Sequence, residues 1–85
     1  MTKEEFLHSY DFLKLGESIN HQSWQSAMMT VTRMQKNAKE AGIDSFDRNL
    51  LQIRQCIIAK QKAEALNILT IMVQRRVQML KAEKT

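Results

Sequence analysis

Apolar and polar positions along the chain follow the same pattern twice, at an offset of 38 residues. Residues 15–34 and 53–72 each contain an apolar helical segment, a short polar break and a second apolar helical segment. The pairs that keep their character at this offset are Ile19 and Ile57, Ala27 and Ala65, Met28 and Leu66, Thr32 and Thr70, and Met34 and Met72. A repeated apolar frame with changing polar residues indicates two packed helical hairpins.

The spacing of the apolar residues predicts four helices and no strand. The predicted helices cover about residues 3–19, 23–41, 45–59 and 62–82. Gly42 is expected to end the second of them, because glycine adopts the left-handed conformation without steric cost. The sequence therefore predicts a single all-α domain over residues 1–85, an up-down four-helix bundle built from two helical hairpins.

Two of the predicted helices have distinctive faces. In the first, Phe6, Tyr10 and Leu13 are spaced four and three residues apart and are expected to face the core. The fourth is apolar on more than one side, with Ile68 and Ile71 outside its main stripe. Such a helix is either central in the fold or half of an interface, and we favour the interface because an 85-residue chain has difficulty surrounding a helix.

The charge of the chain is unevenly distributed. The net charge is +4 at pH 7, and residues 43–85 hold all of this excess, whereas residues 1–42 are neutral. A basic C-terminal half of the chain is compatible with nucleic-acid binding. The same excess of lysine and arginine also arises when these residues only solvate the outer faces and ends of helices. The single cysteine, Cys56, excludes an internal disulfide and fits a reducing cytoplasm. No apolar run approaches the roughly 20 residues that span a bilayer.

The sequence contains no arrangement of residues that is typical of catalysis. His8 and His21 lack a nearby nucleophile or carboxylate pair, and Cys56 lies among isoleucines as a buried, inert thiol. One cysteine and two distant histidines do not make a zinc site. We therefore expect a protein that is not an enzyme and binds neither a metal nor a cofactor.

From Phe12 to Leu80 the order of these signals resembles the histidine-containing phosphotransfer domain, a four-helix bundle of bacterial phosphorelays. The segment Ile19–Trp24 is similar to the polar break that precedes the long helix of that family. Gly42 and Phe46 are similar to the turn after that helix, and the last predicted hairpin follows. The resemblance implies docking to the receiver domain of a signalling system.

The chain departs from that family at the reactive position. Counting back from Gly42, Thr32 occupies the position of the phosphorylated histidine, and Gln35 and Lys36 replace the lysine and glycine of the family. A threonine cannot form a phosphoramidate. The resemblance therefore implies a relative that keeps a docking surface and has lost phosphotransfer.

These observations together favour a non-catalytic protein–protein interaction module that docks a receiver domain or a second copy of itself. The alternative is a small basic helical protein that binds nucleic acid. The predicted partner-binding residues lie on the second and fourth helices and are Met29, Thr32, Arg33, Lys36, Lys39, Ile68, Ile71, Arg75 and Met79.

Overall fold

A computed structural model describes the backbone of residues 1–83 and the side chains of residues 1–82. This part of the chain is all-α and contains no strand. Its helices are α1 (Lys3–Leu7), α2 (Asp11–Asn20), α3 (Trp24–Glu40), α4 (Asp47–Ile58) and α5 (Lys62–Glu83). Helix α2 packs against α3 and α5, and α4 packs against the same two helices, so that four helices enclose one core.

The prediction of one helix over residues 3–19 is wrong, because the structure divides this segment into α1 and α2. Residues 8–10 leave the helical path, and the Ser9 hydroxyl accepts a hydrogen bond from the backbone N–H of Asp11 at 3.2 Å. A serine oxygen satisfies one of the free donors at a helix start in this way. The second helix therefore begins anew instead of continuing the first.

The break allows two phenylalanines to enter the same core. In a straight helix Phe6 and Phe12 would point about 120° apart, since each residue turns the chain by about 100°. In the structure both are buried, and their ring centroids lie 5.5 Å apart with an edge-on geometry. The same change of direction leaves Tyr10 66% exposed and Leu13 53% exposed. The expectation that these two residues face the core is therefore wrong.

The other helices begin and end within two residues of the predicted bounds. Gly42 has φ 72°, and the backbone N–H of Ile43 donates to the carbonyl of Ala38 at 2.9 Å. This is the hydrogen bond that closes a helix through a left-handed residue, so the predicted glycine turn is confirmed. Gln22 and Lys60, which the sequence did not single out, take the same conformation with φ 56° at the ends of α2 and α4.

The repeat of the sequence is also a repeat of the structure. Helices α2 and α4 end 38 residues apart, and α3 and α5 begin 38 residues apart. Matched positions have matched burial: Ala27 and Ala65 are fully buried, and so are Met34 and Met72. The two helix pairs therefore contribute equivalent inner faces to one core.

One end of this core is formed by three aromatic rings. Phe46 lies 5.9 Å from Phe6 and 6.0 Å from Phe12, measured between ring centroids. Arg76 covers the cluster, with its guanidinium carbon 5.2 Å from the centre of the Phe12 ring. Its Nε donates a hydrogen bond to the carbonyl of Leu7, which ties α5 to the end of α1. Such a cation–π contact and hydrogen bond fix the short N-terminal helix to the four larger ones.

Candidate docking surface

The predicted partner-binding residues lie on α3 and α5, which do not form one surface. Each of these helices packs mainly against α2 and α4, so α2 and α4 separate them on both sides. The structure therefore divides the predicted set into two groups on different sides of the molecule. Only the residues on α3 lie beside a matching row of residues on another helix, and the two rows together form a larger surface.

Four of the residues on α3 form a single exposed stripe. Met29, Thr32, Lys36 and Lys39 are spaced three, four and three residues apart, which places them on one side of a helix. All four are exposed, and Met29 has 64% of its surface accessible. A single exposed apolar side chain is ordinary on a protein surface, so Met29 points to a contact surface only if other exposed apolar side chains lie nearby.

A matching stripe on α4 lies across a groove from this one. Asp47, Leu51, Arg54 and Ile58 are spaced four, three and four residues apart. Asp47 and Arg54 line the same groove as Thr32 and the two lysines of α3. Leu51 and Ile58, on the same stripe, are 50% and 68% exposed.

We call this surface the α3/α4 face. Its members are the exposed α3 stripe and the partly exposed α4 stripe, namely Met29, Thr32, Lys36 and Lys39 of α3 and Asp47, Leu51, Arg54 and Ile58 of α4. Leu51 and Ile58 lie seven residues apart in the sequence, a spacing that puts them on one side of a helix, and this spacing was the signal for their part in the surface. Arg54 was missed, because only the neighbouring helix shows that it borders the groove.

The α3/α4 face is positively charged around its apolar side chains. Lys36, Lys39 and Arg54 border the groove together with one carboxylate, that of Asp47. Nη1 of Arg54 donates to Oε1 of Gln35 at 3.1 Å, which holds the guanidinium across the groove between the two helices. The arrangement offers both apolar contact and attraction for acidic groups.

Arg33, one of the predicted partner-binding residues, lies outside the α3/α4 face. Its guanidinium turns towards α2 and pairs with the Asp11 carboxylate through Nε–Oδ2 at 3.1 Å and Nη2–Oδ1 at 2.6 Å. The hydrogen bond that the guanidinium donates to Asp11, and then the negative charge of that carboxylate, raise the pKa of Arg33. A bidentate pair of this kind joins α2 to α3 and leaves the guanidinium less available for a partner.

The α5 residues of the predicted set are mostly engaged within the fold. Ile68 and Met79 are partly buried against the core. Nη1 of Arg75 donates to the carbonyl of Ser45 at 3.0 Å and to Oδ1 of Asn49 at 3.2 Å, and so ties α5 to the start of α4. Ile71, at 47% exposure, is the one large apolar side chain of this group that is open to solvent.

The groups that could carry chemistry are scattered. His8 and His21 are exposed, and the described residues contain no group of three His, Cys, Asp or Glu side chains that could hold a metal ion. Cys56 is 6% exposed, and burial raises the pKa of its thiol, with a smaller contribution from the charge of Glu64. A neutral thiol is a poor nucleophile.

Over the described part of the chain, no helix combines the length and the apolar character that a membrane crossing requires. Comparison with known proteins identifies no relative: no protein-family model, no curated protein and no solved structure matches the chain. The functional argument therefore depends on the surfaces themselves.

Proposed function

We propose that the protein is a non-catalytic interaction module, an up-down four-helix bundle of two hairpins that docks a protein partner on its α3/α4 face. The observation that carries this proposal is the exposure of three large apolar side chains on two neighbouring helices. Met29, Leu51 and Ile58 are 64%, 50% and 68% exposed. The lone thiol of Cys56 supports a location in the cytoplasm, where it stays reduced.

The apolar side chains of this surface supply part of the free energy that a transient complex needs. Complete burial of a large aliphatic side chain contributes about 1.5–3 kcal/mol, and about half of each of the three remains to be covered. Covering all three therefore contributes about 3 kcal/mol. The basic side chains around them add attraction for an acidic partner and accelerate its association.

A receiver domain is the partner that this reasoning favours. The resemblance to histidine-containing phosphotransfer domains implies such a partner, and Thr32 occupies the position of the reactive histidine within the α3 stripe. An exposed threonine between Met29 and Lys36 keeps the shape of a docking helix without a group that forms a phosphoramidate. The module would hold the partner without accepting phosphate from it.

Titration of the isotope-labelled chain with purified receiver domains from the same organism tests this proposal. We expect amide chemical shifts to change along the α3/α4 face. We also expect Ile58→Asp to weaken binding about tenfold or more, because burying an unpaired carboxylate costs well over 1.4 kcal/mol. The matched control is Ile71→Asp on α5, which the structure places away from this face and which should bind as the wild type does.

Two results would contradict the proposal. Shift changes confined to α5, with loss of binding on Ile71→Asp and not on Ile58→Asp, would assign docking to the surface that the sequence alone favoured. Absence of binding to every receiver domain tested at about 1 mM, a concentration at which even weak complexes form, would refute this class of partner.

A second candidate is nucleic-acid binding, which the grouping of Lys36, Lys39 and Arg54 on one groove favours. Three phosphate contacts predict an affinity that falls with a log–log salt slope of about −3 for duplex DNA. Fluorescence anisotropy of a labelled duplex over a salt series measures this slope. The exposed Leu51 and Ile58 beside the groove have no role in such contacts, so Ile58→Asn, which adds no charge, should change duplex binding little.

A further inference from the structure

The repeat supplies an internal comparison for the α3/α4 face. The residues that lie 38 positions away in the sequence from those of the α3/α4 face are on the opposite side of the molecule, where α2 packs against α5. We call this second surface the α2/α5 face. Its members at the matched positions are Leu13, Gly16 and Asn20 of α2 and Thr70, Gln74 and Val77 of α5. Of the other two matched residues, Ser9 precedes α2 and Asn67 borders the groove between α4 and α5.

Every charge of the first face is absent from the second. Among the matched pairs, Lys36 corresponds to Gln74, Lys39 to Val77, Asp47 to Ser9 and Arg54 to Gly16. The exposed leucine, in contrast, is kept: Leu51 is 50% exposed and its counterpart Leu13 is 53% exposed. The two halves of the chain thus share an inner frame and differ in the charge of their outer faces.

Further apolar side chains lie beside the matched positions of the α2/α5 face. Two contacts set the alignment of the helices: Arg76 stacks on Phe12, and the backbone of Gly16 lies against Leu69, where an added Cβ would be 3.2 Å from Cδ2. These contacts run in opposite directions along the two helices, so α2 and α5 are antiparallel.

This alignment brings four apolar side chains to one level of the surface. Tyr10 immediately precedes α2, three residues before Leu13, and Val73 is one turn before Val77 on α5. Tyr10 is 66% exposed and Val77 is 40% exposed. The only glycine of α2, Gly16, keeps the two helices close and the cluster continuous.

From these observations we infer that the α2/α5 face binds a second copy of this chain. A two-fold symmetric contact places a surface against itself, so its centre must be compatible with an identical surface. A chain with net charge +4 repels its own copies, and the repulsion is strongest where basic side chains would meet. The matched positions of the α2/α5 face carry no charge, and Arg76 beside them is partly buried and engaged with Phe12 and the Leu7 carbonyl. The α3/α4 face would instead bring Lys36, Lys39 and Arg54 against the same three cations.

The charges at the borders of this face are complementary under two-fold symmetry. Glu17 lies one turn beyond Leu13 on α2, and Lys81 lies one turn beyond Val77 on α5. Because the helices are antiparallel, these opposite charges lie at opposite ends of the face. A symmetry axis perpendicular to the helices brings Glu17 of one copy towards Lys81 of the other, and both such pairs are attractive.

The size of the face predicts a weak and reversible dimer. Two helices about 10 Å wide, over the roughly 15 Å length of α2, present a footprint of about 300 Å². A stable complex buries about 800 Å² on each partner, so the expected dissociation constant is on the order of 100 µM. In such a dimer the two α3/α4 faces would point away from each other, and each would be free to dock a partner.

Sedimentation equilibrium over a range of concentrations tests the inference. We expect the apparent mass to rise from 9.9 kDa towards twice that value as the concentration approaches about 1 mM. Leu13→Lys should raise the dissociation constant about tenfold or more, because two lysines would be buried at the centre of the contact. Val77→Lys, which restores the charge of the counterpart Lys39, is the second variant and should act in the same direction.

The matched control is Leu51→Lys, at the repeat-equivalent leucine of nearly equal exposure, and it should leave the dimer unchanged. Circular dichroism of each variant checks that the helices are retained. A mass of 9.9 kDa at every concentration would overturn the inference. Weakening by Leu51→Lys as strong as that by Leu13→Lys would also overturn it, since association would then not depend on the α2/α5 face.

Discussion

Three helix ends in this fold depend on a residue in the left-handed conformation, and only one of the three is glycine. Gly42 has φ 72°, whereas Gln22 and Lys60 have φ 56°. Side chains in this region are strained by contact between Cβ and the backbone, and glycine is not. We therefore predict opposite effects of two substitutions: Gly42→Ala destabilises the fold and Lys60→Gly stabilises it.

The change in the free energy of unfolding on each substitution is the sum of two opposing contributions. A left-handed residue with a side chain costs about 1–2 kcal/mol, while replacing glycine by alanine recovers about 0.4–1 kcal/mol by restricting the unfolded chain. A Cβ built at Gly42 would have no atom beyond its chain neighbours within 4 Å, so no packing contribution adds to the backbone cost. Each change should therefore alter the free energy of unfolding by about 1 kcal/mol, or about 4–8 °C in Tm.

Urea and thermal unfolding followed by circular dichroism measure both effects. The control is Ala59→Gly, one residue before Lys60, where φ is −84° and glycine relieves nothing. This variant should lose a few tenths of a kcal/mol up to about 1 kcal/mol, because glycine adds only unfolded-state entropy. Destabilisation by Lys60→Gly of the same size, or an unchanged Tm for Gly42→Ala, would refute the reasoning.

Two further predictions concern side chains that the fold places in specific pairs. Asp11→Asn should reduce stability by about 0.2–1 kcal/mol, because it removes the partly exposed pair with Arg33. Urea unfolding should show that this loss of stability becomes smaller at about 1 M salt, and Asp44→Asn is the control. A loss that does not depend on salt would contradict the explanation by an ion pair. For Cys56, burial and the nearby Glu64 raise the pKa of the thiol. The contribution of this group to the free energy of unfolding is therefore fully present below its unfolded pKa of about 8.5, and it is lost as pH rises through the folded pKa. The free energy of unfolding of Cys56→Ala should lack this loss above about pH 8.5, and identical pH profiles for the variant and the wild type would disprove it.

Much of the fold could be predicted because the apolar pattern is repeated. Ala27 and Ala65, and Met34 and Met72, were matched in sequence and are fully buried in the structure. Gly42 marked a helix end because the physical requirement at that position, a positive φ, is one that glycine meets at least cost. These are local properties, and the sequence alone contains them.

Other features depended on tertiary packing. The division of residues 3–19 into two helices follows from the burial of Phe6 beside Phe12 and Phe46, and no local signal specifies that these rings meet. The left-handed residues Gln22 and Lys60 were missed for a related reason. Their side chains disfavour the conformation, and the short connections between packed helices impose it.

The docking surface shows the same division between local and tertiary information. Helical spacing identified the α3 stripe, but it could not show that Leu51 and Arg54 lie across the groove from it, since this depends on which helices pack together. The repeat adds information that a single helix lacks. Core positions in the two halves obey the same packing constraint, so the differences between halves are concentrated at exposed positions. The absence of every groove charge at the matched positions, with the exposed leucine kept, is therefore a difference between the two surfaces and not between the buried residues on which the two halves fold.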